Sequence, residues 1–388
     1  MEPVLPKITT PRTGSSLARL PVDAARYLCA MRVEIESLAA FDAHVASERT
    51  LRGCAVQDVD LTLRLDVLET LDVHNALFLG CRLSPAAADS LARRGALVFP
   101  RLPDVPFDAY RSGLYTADEL YRGLERGYPA TPDGRVYAWT RRSTSTLLDA
   151  TLARALHDHA ISDALAELHH DAASGVGIMG GHAVARGTER YLESARLGHR
   201  LAASGRLVVT GGGPGAMEAA NLGASFGRPE SDLDAACSAL AEVPSFHRAV
   251  EGWARRAFEV RDAYDCTRLS VGVPTWFYGH EPPNVFASEI AKYFDNAVRE
   301  DVLIGLCGAG IVFTEGAAGT VQEIFQATTR AYYADADAFV APLVLVGRDY
   351  WTRVLPAWPL LAALGDGRRM AERIHLVDTI DEALGVLG

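Results

Sequence analysis

Two glycine-rich turns, one arginine and one glutamate are the residues whose types and spacing could do chemistry. Gly211-Gly212-Gly213-Pro214-Gly215 follows the apolar run "RLVVT" and opens a helix-like segment. Glycines let backbone amides approach an anion, and a helix start adds its positive end. A tight strand-to-helix turn without a ligand would use the same residues, so both readings stand. The second turn, "TEGAAGTVQE" from Thr314 to Glu323, again lies between an apolar run, "AGIVF", and a helical pattern. Glu323 falls three residues after Thr320, where the helix dipole favours an ionised carboxylate. An ordinary capping box, with Thr320 at the N-cap and Glu323 as its partner, is the favoured explanation of that spacing taken alone. Arg299, in "DNAVREDVLIGLCG", lies on the helical segment leading into "AGIVF"; alone it reads as a surface charge. The proline-stiffened loop "YGHEPPN", Tyr278 to Asn284, follows the run "RLSVGVP" and is placed either to bind or simply to connect.

Other chemistries find little support. His157/His159 and His169/His170 lie on helical patterns without an HExxH arrangement, so no metal site is expected. The six cysteines show no CxxC spacing and read as buried thiols. Neither a G-x-S-x-G elbow nor a Walker A sequence is present.

The elements that must position these residues are legible from about residue 145 onward. The apolar runs "GVGIMG", "RLVVT", "RLSVGVP", "AGIVF", "PLVLVG" and "RIHLVD" alternate with helical patterns. Near-continuous apolar strands between helices predict an α/β fold, a doubly wound, Rossmann-like parallel sheet. Residues 228–266 read as a helical insertion within this domain, 146–388. Residues 1–145 read as a smaller N-terminal α/β accessory domain of unknown role. Its first 20 residues are Pro/Thr/Ser-rich and expected to be loosely ordered. Within it the similar phrases "LRGCAVQDVDL" and "ALFLGCRLS" point to a short stacked-strand repeat. A helix and the strand "ALVFP" follow over 85–98.

With 388 residues, 49% hydrophobic and 22% charged, the chain has a globular composition. Its net charge of −11 argues against nucleic-acid binding. No apolar run reaches the roughly 20 residues of a membrane span, and the start resembles no signal peptide, so a cytoplasmic protein is expected.

Taken in order, "GGGPGAMEAANLGA", "EPPN", a helical arginine and "GxxGTxxE" resemble the LOG family over roughly residues 170–380. Proteins of that family, long labelled lysine decarboxylases, are understood as nucleoside 5′-monophosphate phosphoribohydrolases, including the cytokinin-activating enzymes. The GGGPGAME form and the EPPN loop look closest to the bacterial pyrimidine/purine nucleotide 5′-monophosphate nucleosidases. The resemblance implies cleavage of an N-glycosidic bond to free base and ribose 5-phosphate, without metal or redox cofactor, in a homodimer or larger assembly. By position, Arg299 and Glu323 match the signature catalytic pair. Gly212, Gly213, Gly215, Gly316, Gly319 and Thr320 would cradle the phosphate. Glu281 and Asn284, with Met179 and Gly180 after "GVGI", are the candidates for contact with base or ribose. Two positions depart: Glu315 replaces a proline, with Thr314 inserted before it, and Ala317 replaces a glycine. An anion at 315 costs Coulomb energy unless it is paired or points away, and Ala317 requires a negative φ.

Two functions from different classes follow: a nucleotide hydrolase, or a nucleotide-binding sensor on the same fold. A pyridoxal-dependent lysine decarboxylase is disfavoured, because Lys292, the lysine of this half, lies in an unsuitable polar segment.

Overall fold

The structure is a computed structural model that describes residues 32–142, 147–168, 175–277, 281–335 and 339–388. His169, His170, residues 278–280 of the EPPN loop and the N-terminal 31 residues lie outside these. Among the described residues no helix is long and apolar enough to cross a membrane.

Seven parallel strands form the larger sheet: β5 (Gly175–Met179), β6 (Leu207–Thr210), β7 (Val271–Gly272), β8 (Glu289–Ile290), β9 (Gly310–Phe313), β10 (Leu343–Val346) and β11 (Ile374–Val377). Their order is β11-β10-β9-β5-β6-β7-β8, which makes the fold a doubly wound α/β sheet. Period-two alternation divides each strand between two buried faces. Val176, Ile178, Val208, Val312 and Val344 pack on one side with Leu197, Leu201 and Ala220. Val209, Ile311, Phe313, Leu343 and Leu345 pack on the other with Leu303, Ile324 and Trp351. Six of the seven strands are the runs named above. β8 is short and polar at its start, so it carries no such signal.

The chain runs outward from β5 to β8 and then crosses back to place β9 on β5's other side. Strand order therefore reverses between β5 and β9, and the loops after these two strands face one another. That crevice is where open α/β sheets bind ligands.

Before it, β1 (Glu34–Ile35), β2 (Ala55–Gln57), β3 (Leu77–Leu79) and β4 (Leu97–Phe99) form a second parallel sheet in sequence order. The two repeat-like phrases are its neighbouring strands, with Ala55 opposite Leu77. Contacts 22 positions apart, Thr50 to Asp72 and Arg82 to Asp60, confirm the stacking. Val56 and Phe78 fill a separate small core. Ser84 caps the helix Pro85–Arg93 through the amide of Ala87, with Pro85 at its start.

Residues 115–139 belong with the large core. Tyr115, Leu120, Tyr121, Tyr128, Val136 and Trp139 are buried in it. Tyr115 exchanges backbone hydrogen bonds with Ile290 of β8, and the Tyr121 hydroxyl donates to the Pro283 carbonyl at 2.6 Å. We propose that the two units divide near residue 100 rather than at 145, since these aromatics each bury about 1.5–3 kcal/mol of apolar surface against the second unit. Within 228–266 lie the helices Leu233–Leu240 and Val250–Ala263. Arg186, fully buried, ties them to the glycine turn: it pairs with Glu218 and donates to the carbonyls of Val243 and Trp253.

Candidate functional site

A cavity of about 750 Å³ opens in the β5/β9 crevice. Gly180, Gly181 and His182 after β5 line it, with Gly211 after β6 and the segment Glu315–Thr320 after β9. Met217, Glu281, Arg299, Glu300 and Glu323 complete its deeper part. Four of the residues singled out in sequence as chemical, Arg299, Glu323, Gly316 and Thr320, thus share one cavity, along with Gly319, Gly180 and Glu281.

The helix Asn296–Leu306 presents Arg299. Asp295 caps it, its carboxylate accepting from the amides of Ala297 and Val298. Asp158 in turn fixes the entry by accepting from the amides of Phe294 at 2.9 Å and Asp295 at 2.7 Å. His157, also buried, bridges Asp158 and the Tyr115 hydroxyl. This explains His157 without a metal, and His159 points to the opposite, exposed side. No group of three or more His, Cys, Asp or Glu is placed to hold a metal ion among the described residues.

Arg299 Nη1 lies 3.7 Å from Glu323 Oε1, and Nη2 lies 3.1 Å from Glu300 Oε1. Asn296 holds the guanidinium from behind, its Oδ1 accepting from Nε at 3.2 Å. One cation therefore stands between two carboxyls that are 6% and 2% exposed. Burial, then the charge of Glu300, pushes the Glu323 pKa up to about 8 against the pull of Arg299. The helix dipole was expected to keep Glu323 ionised; desolvation and a like charge outweigh it.

The second loop departs from the expected capping box. Its helix, Ala318–Tyr332, starts two residues before Thr320, and Ala317 at the N-cap offers no side-chain acceptor. Thr320 and Glu323 lie inside the helix, both buried. The first amides of a helix have no intrahelical acceptor, so this uncapped end points donors at the cavity. Ala317 has φ −109°, so the loss of glycine there carries no strain. Glu315 is paired with Arg190 at 2.7 Å, which offsets the awkward acid. Tyr350, unforeseen in sequence, fixes the loop by donating to the Gly316 carbonyl at 2.6 Å. Arg190→Ala should leave stability within about 0.5 kcal/mol, since the arginine of this pair is largely exposed.

The first glycine turn is largely architectural. Gly212 has φ +71° and packs against Pro274, while Gly215 has φ +75° with Gly181 O only 2.4 Å from where a Cβ would sit. Gly211 rather than these two lines the cavity, and Gly213 lies beside Glu281. Asn284 is fully buried; its amide donates to the Gly213 carbonyl, and its oxygen accepts from Phe286 and Ala287. Met179 is likewise buried, with its carbonyl accepting from Thr314. Neither lines the cavity. Glu281 does, and it pairs with His182 at 3.1 Å, which raises the histidine's pKa.

Lys292 does not lie in a polar segment as the sequence implied. It is 1% exposed, with Nζ donating to Asp133 Oδ1 at 2.6 Å. Trp276 Nε1 and the Tyr128 hydroxyl also donate to Asp133, each at 2.7 Å. A sealed, fully paired ammonium is structural.

No protein-family model and no curated protein matches the sequence. Solved structures with a limited likeness include the molybdenum cofactor binding protein of Rippkaea orientalis, at 16% identity over 55% of this chain and 94% of that one, TM-score 0.35. The molybdenum cofactor carrier protein of Chlamydomonas reinhardtii shows 18% identity over 55% and 95%, TM-score 0.33. The protein TM1055 shows 21% over 55% and 98%, TM-score 0.35. Likenesses this slight transfer neither ligand nor activity.

Proposed function

We propose that the protein hydrolyses the N-glycosidic bond of a nucleoside 5′-monophosphate, giving free base and ribose 5-phosphate. The observation that carries this reading is the Arg299–Glu323 pair at the floor of a cavity bordered by an uncapped helix start. The motif resemblance to the LOG family supports it independently.

In this reading the 5′-phosphate sits on the amides at the start of helix Ala318–Tyr332, flanked by Gly316, Gly319 and the Thr320 hydroxyl. Gly211 borders the opposite wall, Gly212, Gly213 and Gly215 shape the turn behind it, and Asn284 and Met179 hold the loops in place. Glu281 faces the ribose or base. Cleaving C1′–N leaves cationic character on the ribose and negative charge on the departing base. Glu323, protonated up to about 8, is suited to give the base its proton, and Arg299 orders the carboxyls around it. The assembly is a homodimer or larger, measurable by sedimentation.

The assay uses AMP, GMP, CMP, UMP and N6-prenylated AMP, with detection of free base and ribose 5-phosphate. Turnover of at least one nucleotide is expected, falling about 10²-fold or more in Arg299→Ala. Binding of nucleotides with no turnover of any of them would establish the sensor reading instead.

A further inference from the structure

Glu300 follows Arg299 directly, and in sequence it looks like an ordinary helix-surface acid. It is instead 2% exposed and lines the cavity. Its Oε1 meets Arg299 at 3.1 Å and Asn296 Nδ2 at 3.5 Å. Its Oε2 is buried with no hydrogen-bond partner. An empty buried acceptor costs about 1–3 kcal/mol, more on a charged group, and native proteins rarely retain one without a use. Glu300 itself lines the cavity, which puts its carboxyl within the site. A single guanidinium flanked by two buried carboxyls does not hold both ionised, so the pair keeps one proton. The shorter contact to Arg299 and the Asn296 amide place the charge on Glu300.

We propose that Glu300 is the second catalytic carboxyl of this site: its carboxylate receives the proton of the attacking water and its charge faces the ribose cation, while Glu323 protonates the leaving base. The assignment rests on the nucleotide-hydrolase reading. In the step, the C1′–N bond breaks with its electron pair remaining on the base nitrogen, which takes the Glu323 proton. The water oxygen bonds to C1′ and passes one proton to Glu300. One water is consumed, and return of the proton from Glu300 to Glu323 restores the site.

The ionisation directions agree. Burial raises both, the Glu323 pKa to about 8, while Arg299 and Asn296 pull that of Glu300 back. The other titratable groups facing the pair are Glu281, which raises both, and the Cys307 thiol, itself pushed up by burial.

The test compares GMP with 7-methylguanosine 5′-monophosphate, whose base leaves without needing a proton. Glu300→Gln should lower kcat/KM about 10³-fold on both substrates, because both need the water activated. Glu323→Gln should lose about 10³-fold on GMP but less than about 10-fold on the methylated nucleotide. Glu300→Asp should recover at least about 10-fold over Glu300→Gln. Wild-type kcat/KM should fall above about pH 8 with GMP and not with the methylated nucleotide, a readout that needs no variant to fold. Wild-type turnover with Glu300→Gln within about 3-fold of it, or Glu300→Gln rescued by the methylated base, overturns this assignment and leaves the hydrolase reading standing. A wild type that turns over neither these two nor AMP, CMP, UMP or N6-prenylated AMP overturns both.

Discussion

Glu323→Gln should yield a protein that is more stable than the wild type and nearly inactive on ordinary nucleotides. Its folded pKa of about 8 lies above the usual 4.5, so between those values the folded state binds the extra proton. Stability is therefore full below about 4.5 and is lost as pH rises to about 8, where the buried carboxylate must ionise. The glutamine cannot ionise, so its advantage grows across that window. At pH 8.5 we expect about 2 kcal/mol, a few degrees in Tm, because Glu300 and Glu281 share part of the ionisation. At pH 4.5 the two proteins should melt together. Turnover of GMP should fall about 10³-fold, the size expected for a lost general acid. A variant that is less stable than wild type at pH 8.5 would show that Glu323 is held ionised by Arg299, and its role as proton donor would fail.

Asp133→Ala should be among the most destabilising single changes in the chain. The carboxylate takes Lys292, Trp276 and Tyr128, all in the core that joins residues 115–139 to the sheet. Its loss leaves a buried ammonium uncompensated and the Trp276 donor empty, at a cost of about 3–5 kcal/mol. Lys292→Met should cost less, since Asp133 keeps the tryptophan and tyrosine donors. The double variant should cost clearly less than the sum of the two, by 1 kcal/mol or more on the order of a coupled pair. Denaturant titration measures all three. Additive losses, or an Asp133→Ala cost under about 1 kcal/mol, would mean that residues 115–139 are not held to the sheet through this cluster.

The sheet was legible because its strands are short apolar runs closed by glycine turns, and a buried parallel sheet has little other way to be written. The cavity's outline was legible for the same reason: glycines after β6 and β9 must sit at the strand ends. What one residue does within the cavity was less so. Asn284 and Met179 sit close to cavity-lining residues in sequence, but their side chains turn into the core, and only packing decides that. Thr320 and Glu323 have capping-box spacing, yet the helix begins at Ala318 because the glycine-alanine turn reaches helical geometry without a side-chain cap. Glu300 and Asp133 carried no signal. The first is one acid in "VRED", and the second finds two of its three partners 143 and 159 residues away. The same distance hid the place of Tyr115, Tyr121 and Trp139 in the large core, since they lie in polar surroundings in sequence and are buried by residues far along the chain.

The most direct measurement is the product analysis of wild type and Glu323→Gln after incubation with the panel of nucleoside monophosphates. Equimolar free base and ribose 5-phosphate from the wild type, with about 10³-fold less from Glu323→Gln, is the predicted result. Nucleotides recovered intact from the wild type, or equal release by both proteins, would contradict the account.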